Sequence, residues 1–142
     1  MKRIIFAMSF ITAGVLSISA QKINTDKVSS ESRQAFIKAH PGKTGKWEME
    51  KGNYEVNFKE NGKTRTCVLD NKGTILETKT DIKDSELPQS VREYVKAHYK
   101  LAAIKEAARI IKQDGTVNYE AEVNRKEVVF NSNGKFINEE KE

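Results

Sequence analysis

The feature that most constrains this chain is an internal repeat, in which three short stretches recur in the same order. Because the order is kept while the spacing shifts by only a few residues, the pattern is typical of one small unit present twice with altered connections. The matched stretches are FIKAH and YVKAH at 36–40 and 94–98, YEV and YEA at 54–56 and 119–121, and CVLDNKG and VVFNSNG at 67–73 and 128–134, with offsets of 58, 65 and 61.

Each copy is expected to begin with a helix. In the first copy, Ser29 or Ser30 can cap the helix, and Pro41 followed by glycine ends it. In the second copy, Pro88 suits the first helical position, where its missing N–H costs nothing. Apolar residues then recur at spacings of three and four, which predicts one buried stripe on each helix.

After each helix the apolar period changes to two, which predicts strands. Trp47 and Met49 alternate with charged residues, and so do Tyr54, Val56 and Phe58. Turn signals rich in Asn, Asp and Gly separate these runs. The predicted fold class is therefore α+β, a tandem repeat of a helix plus a four-stranded antiparallel meander, forming one sheet with helices on one face.

Size decides how the two copies relate. Each has fewer than 60 residues and would bury too little surface to be stable alone. Two copies side by side share a sheet and remove two exposed edges, which predicts a single domain with a common core. The predicted divisions are a signal peptide at 1–20, a flexible N-terminal segment at 21–27, repeat one at 28–80, a linker at 81–86 and repeat two at 87–142.

The segment 101–112 is ambiguous. Its alanine content favours a helix, whereas its place in the repeat corresponds to the strand around Trp47. We favour a strand in at least its second half, and a second helix leading into a strand from about Arg109 is the alternative.

The N-terminal 20 residues are typical of a secretory leader. Lys2 and Arg3 precede an uncharged, mostly apolar run from Ile4 to Ile18, and Ala20 ends a stretch of small residues. The run is shorter than the roughly 20 residues of a membrane-spanning helix. We expect cleavage near Ala20, a periplasmic or secreted protein, and no stable membrane insertion afterwards.

Charge and cysteine content exclude several protein classes. Beyond the leader, 23 basic and 20 acidic residues are interspersed, so no basic stripe for nucleic acid exists. A single cysteine, Cys67, excludes a disulfide framework and a zinc module rich in cysteine. Cys67 alternates with Leu69 in a predicted strand, which favours a buried apolar role over a reactive thiol.

The remaining candidates for chemistry favour structural roles. His40 and His98 end their helices, where a positive charge complements the helix dipole, and two histidines alone make a weak metal site. Tyr54 and Tyr119 share a face with apolar neighbours and are expected in the core. Since no catalytic motif is present, we expect no enzyme activity, no cofactor and no metal.

The polar face of the predicted sheet is the candidate protein-binding surface. Lys46, Lys59 and either Lys105 or Arg109 are expected among its carboxylates. Three interpretations remain open: a solvated face neutralised by ion pairs, a protein contact surface, or a site for a hard cation. The candidate residues are Glu48, Glu50, Glu55, Asn57, Glu120 and Glu122.

From about Val28 to its end, the chain resembles the PepSY-like proteins, exported proteins frequent in Bacteroidota and related in shape to the β-lactamase-inhibitor protein. The resemblance rests on FIKAHPG, YEVNF, VLDNKGTILET, VREYVKAHY, YEAEV and VVFNSNGKF. It implies a tandem helix-plus-four-strand unit and a binding or inhibitory role toward another protein. The chain lacks the paired cysteines of the β-lactamase-inhibitor protein, so that protein's target is not carried over.

The leading functional hypothesis is therefore an exported, non-enzymatic binding module, with inhibition as one form of that binding, which uses the uncovered sheet face against an unidentified protein partner. The alternatives are an envelope protein that binds a small ligand or cation, and a structural or stress accessory protein.

Overall fold

A computed structural model describes residues 20–141. They form one antiparallel sheet of nine strands with two α-helices, which confirms the α+β class. The predicted signal peptide lies, apart from Ala20, outside the described residues. The elements are β1 (Gln21–Lys22), α1 (Ser30–Ala39), β2 (Gly45–Glu50), β3 (Asn53–Glu60), β4 (Lys63–Leu69), β5 (Ile75–Ile82), α2 (Gln89–His98), β6 (Glu106–Lys112), β7 (Val117–Val123), β8 (Lys126–Asn131) and β9 (Phe136–Lys141).

The strands follow one another across the sheet in chain order, so each pairs with its sequence neighbours. Each helix is followed by four strands, and β5 pairs with β6 in the middle of the sheet. The strand β1 was not predicted: within the segment 21–27, Gln21 lies opposite Met49 of β2, and residues 25–27 form a 3-10 helix. This extra strand covers part of the β2 edge.

The helices begin where local capping chemistry places them. The Ser29 hydroxyl accepts a hydrogen bond from the backbone N–H of Ser32 at 3.2 Å, which confirms Ser29 as the N-cap of α1. Pro88 was predicted as the first helical residue of α2. It is instead the N-cap, and the helix begins at Gln89, because the ψ of Pro88, 141°, is extended and not helical. In the part of the chain that the structure describes, neither helix is long and apolar enough to cross a membrane.

The ambiguous segment 101–112 contains no helix. Residues 101–105 lead irregularly into β6, whose Ala107 and Ala108 are both 7% exposed. The favoured interpretation, a strand in the second half, is confirmed. Pairing of β6 with both β5 and β7 satisfies its backbone and outweighs the helix propensity of alanine.

The apolar core divides into two clusters, one under each helix. Phe36 of α1 packs on β2, β3 and β4, whereas Val91 and Val95 of α2 pack on β6, β7 and β8. The expectation of one common core is therefore wrong. Continuity comes from the hydrogen-bonded ladder between β5 and β6, where the helix-facing residues Thr78, Thr80 and Arg109 belong to neither cluster.

Two turns with the pattern Asp/Asn-x-x-Gly hold the helices against the sheet. The Asp70 side chain accepts hydrogen bonds from two backbone N–H groups of its turn, and Asn131 does the same in the other turn. A Cβ at Gly73 would lie 2.6 Å from the carbonyl oxygen of Glu31, at the start of α1. Glycine is therefore required for this close approach as well as for the positive φ of 83°.

Register places both helices on the same side of the sheet. Residues directly opposite each other in a ladder point to the same face. Cys67 of the first cluster lies opposite Thr78, which lies opposite Ile111 of β6. Ile111 lies four residues after Ala107 of the second cluster on β6, so the two side chains point to the same face. Both helices therefore cover that face, and the other face carries neither helix. We call that other side the open face.

Candidate functional site

The open face is curled into a concavity. Lys51, in the β2–β3 turn, forms an ion pair with Glu140 of β9. In a flat sheet, β3 and β9 would lie about 30 Å apart, six strand spacings. The ion pair therefore requires the sheet to curl until its two ends nearly meet. The space enclosed has a volume of about 480 Å³.

The concavity is acidic although the chain is basic. Six glutamates and three lysines line it, a formal charge of −3, whereas the whole chain carries +5. A low-dielectric concave wall strengthens such a local field, so the concavity favours a cationic occupant. The charged lining residues are Glu50, Lys51, Glu55, Glu77, Lys79, Lys112, Glu120, Glu127 and Glu140.

Lys79 of β5 is the central cation. Its Nζ lies 3.0 Å from Oε2 of Glu120 on β7, and the two side chains are 20% and 15% exposed. Burial alone would lower the pKa of Lys79, but the negative charges of Glu120 and Glu127 outweigh it and raise the pKa. Lys79 is thus firmly charged; it forms its ion pair with Glu120, and its charge also acts on Glu55 and Glu127.

Several carboxylates around this pair lack a cation of their own. Burial, together with the negative charge of Glu50, raises the pKa of Glu55 to about 7. Burial and the charge of Glu120 also raise the pKa of Glu127. Within residues 20–141, neither Glu50, Glu55 nor Glu127 forms an ion pair with lysine or arginine. The concavity therefore holds more negative charge than it neutralises.

Asn118 of β7 is the one buried asparagine of the described chain, and it lines the same space. It is 7% exposed, and its side-chain amide has no hydrogen-bond partner among residues 20–141. Its amide atoms are not among the fully buried atoms without a partner, of which Arg65 Nε is the one found in the described chain, so they remain in contact with the space that they line. Its donors and acceptor are thus available to an occupant of the concavity.

The candidate residues predicted from the sequence do not all meet in the concavity. Glu50, Glu55 and Glu120 line it. Glu122 lies beside it, on a smaller adjoining cavity of about 150 Å³, where its Oε1 accepts a hydrogen bond from Lys105 at 2.9 Å.

Glu48 and Asn57 lie on the open face outside both cavities. Glu48 is paired in register with Lys22 of β1 and Glu55 of β3. Asn57 accepts a hydrogen bond from the Thr66 hydroxyl at 2.6 Å. Arg109 was expected as one of the cations of this face. That prediction is wrong, because Arg109 lies opposite Thr80 on the helix side of the sheet.

Most of the polar lining of the concavity was missed from the sequence, including three residues close to its centre. Lys79, Asn118 and Glu127 all occupy alternate positions on strands whose other side faces the helices. Strict alternation would have placed each of them on the open face. It would not have brought them together, because the curl of the sheet decides which polar residues converge.

The remaining candidates have structural surroundings. Cys67 is fully buried, and burial raises the pKa of its thiol to about 11. His40 has its Nδ1 3.9 Å from Oε1 of Glu60, and the Nδ1 of His98 lies 2.9 Å from the carbonyl oxygen of Tyr94. Within the described range, no group of three or more His, Cys, Asp or Glu side chains is arranged to hold a metal ion.

No protein-family model matches the chain, and no curated protein matches it. Solved structures do match. A DUF2874 family protein from Bacteroides uniformis is 18% identical over 78% of this chain and 87% of its own, with a TM-score of 0.66. A proposed periplasmic protein from Bacteroides eggerthii is 16% identical over 80% and 88%, with a TM-score of 0.67.

A BLIP-like protein from Bacteroides fragilis is 20% identical over 79% of this chain and 84% of its own, with a TM-score of 0.59. At these identities the likeness concerns the fold. This chain therefore has a fold found in DUF2874 and BLIP-like proteins of Bacteroides, in agreement with the expected shape.

Proposed function

We propose that this protein is an exported, non-enzymatic binding module whose concave open face receives a segment of another protein. The observation that carries the proposal is the acidic concavity, which is formed by the curled sheet and left uncovered by both helices. An accessible surface with unneutralised charge and a side-chain amide free to bond an occupant is suited to recognition.

Export rests on the leader pattern of residues 1–20, and the fold is shared with a proposed periplasmic protein. The PepSY-like resemblance and the BLIP-like neighbour favour inhibition of a partner over other outcomes of binding. Duplication of a helix-plus-four-strand unit accounts for the two equivalent turns at Asp70 and Asn131. The absence of a recognised catalytic motif from the sequence underlies the non-enzymatic assignment.

Capture of the partner from periplasmic extract tests the proposal. Glu50→Lys reverses a charge inside the concavity, and Glu48→Lys makes the same change two residues earlier on the same strand and face, outside it. We expect a protein captured by the unaltered chain to be lost with Glu50→Lys and kept with Glu48→Lys. Circular dichroism must first establish that both variants are folded. A partner retained by both variants, or lost equally from both, contradicts the proposed surface.

A further inference from the structure

We propose that the concavity recognises an arginine side chain presented on a protruding segment of the partner protein. The inference rests on the proposed function and specifies the chemistry of the group that enters. It follows from the charge left over in the concavity, the unpartnered amide on its wall and the apolar strip between them.

The charge left over identifies the sign of the occupant. Lys79 is neutralised by Glu120, Lys51 by Glu140 and Lys112 by Glu77, whose ion pair is 2.8 Å long. The remaining carboxylates, of Glu50, Glu55 and Glu127, come from three different strands. A cationic group supplied from outside would balance them.

The arrangement of acceptors identifies the shape of the occupant. A guanidinium is planar and presents five N–H donors, whereas an ammonium is a compact point charge with three. Several separate carboxylates and the Oδ1 of Asn118 offer acceptors from different strands of one wall. A donor set that is spread in a plane can engage more of them at once, which favours arginine over lysine.

The apolar part of the wall suits the rest of the side chain. Val68, Ile110 and Val129 line the concavity on β4, β6 and β8. The methylene stem of arginine buries against such surface while its head reaches polar groups. The volume of about 480 Å³ lies within the usual range of ligand pockets.

Protonation couples to this recognition. Glu55 faces Glu48 and Glu50 from β2, Lys79 from β5 and Glu127 from β8, and with a pKa of about 7 it is partly protonated near neutral pH. An entering guanidinium favours the ionised carboxylate and displaces that proton. Arginine binding is therefore expected to strengthen between pH 6 and pH 8, through the pKa of about 7.

The test uses end-blocked pentapeptides with a central arginine, lysine or citrulline among glycines, titrated to millimolar concentration into the chain that follows the predicted leader. Citrulline keeps the shape of arginine without its charge. The side-chain amide signals of Asn118 in a ¹⁵N-correlation NMR spectrum report occupancy. We expect the arginine peptide to shift them saturably, the lysine peptide to bind more weakly, and the citrulline peptide to leave them unmoved.

Glu55→Gln removes one acceptor charge, and Glu48→Gln is its matched control outside the concavity. We expect Glu55→Gln to weaken arginine binding at least about tenfold at pH 8, and Glu48→Gln to leave it within about twofold. The inference is overturned if arginine and citrulline act alike, if lysine binds as tightly as arginine, if Glu55→Gln has no effect, or if Ca²⁺ moves the Asn118 signals and arginine does not.

The two proposals fail separately. If capture of a partner depends on Glu50 but the arginine peptide does not shift the Asn118 amide signals, the proposed binding surface is supported and the arginine assignment is wrong. If arginine binds at Asn118 but partner capture is unaffected by Glu50→Lys, the proposed protein-binding surface falls.

Discussion

Lys79 of β5 and Glu120 of β7 form an ion pair across the intervening strand β6, with Nζ and Oε2 3.0 Å apart. Both side chains are largely buried at 20% and 15% exposure. The pair lies where Glu55 and Glu127 also converge, so its cation offsets more than one carboxylate. Removal of Lys79 would consequently leave these buried carboxylates without their shared cation.

Replacement of Lys79 by methionine is expected to lower the free energy of unfolding by about 3 kcal/mol at pH 8, because it leaves buried carboxylates without a counter-charge. Lys112→Met is the matched control. Its ion pair with Glu77 is more open, with Lys112 46% exposed, and its loss should cost less than about 1 kcal/mol. Urea denaturation followed by circular dichroism measures both. Equal losses in the two variants would show that Lys79 has no special electrostatic role.

Glu55→Gln is expected to stabilise the protein at alkaline pH. The folded-state pKa of Glu55, about 7, lies above its ordinary value of 4.5, so the stability it contributes is complete below pH 4.5 and is lost as the pH rises through 7. Glutamine mimics the protonated form. At pH 8 the variant should therefore be more stable than the unaltered chain by on the order of 2 kcal/mol, and at pH 4.5 about equal to it.

Urea titrations at both pH values measure this difference. A difference that is the same at pH 4.5 and pH 8 would mean that Glu55 titrates normally.

Gly73→Ala should destabilise the turn that docks on α1. The new Cβ would lie 2.6 Å from a backbone oxygen of Glu31, in a backbone conformation with φ of 83°. Gly62→Ala is the control, because Gly62 has a similar φ of 76° and an added Cβ meets nothing within 4 Å. We expect a loss of about 3 kcal/mol for Gly73→Ala and about 1 kcal/mol for Gly62→Ala. Thermal unfolding compares them, and equal losses would contradict the close approach.

Arg125→Gly is expected to stabilise the β7–β8 hairpin. Asn124 and Arg125 both have positive φ, 53° and 58°, as a two-residue turn of this kind requires. Asparagine tolerates this conformation, whereas it strains arginine. Glycine should relieve the strain and raise the free energy of unfolding by about 1 kcal/mol. Asn124→Gly should change it little in the same urea titration. A destabilised Arg125→Gly would show that the arginine side chain contributes contacts that outweigh its strain.

Much of the fold was predictable because it depends on local rules. The cap at Ser29 and the strand character of β3 follow from residue type and spacing, and so does the turn at Gly73. The short strand β1 was missed because two residues carry no periodicity, and it pairs only because the edge of β2 is available. The common core was wrongly predicted because apolar content does not reveal that polar residues separate the clusters at β5 and β6.

The sequence by itself determined which side of each strand is polar, since alternation assigns Glu55 and Glu120 to the open face whatever the shape of the sheet. The tertiary structure alone decided which of those residues meet. Twist and curl accumulate over nine strands, and the ion pair between Lys51 and Glu140 joins their ends. That closure encloses Lys79 and Asn118 and leaves Glu48 outside, because curvature is a property of the whole sheet and no single strand encodes it.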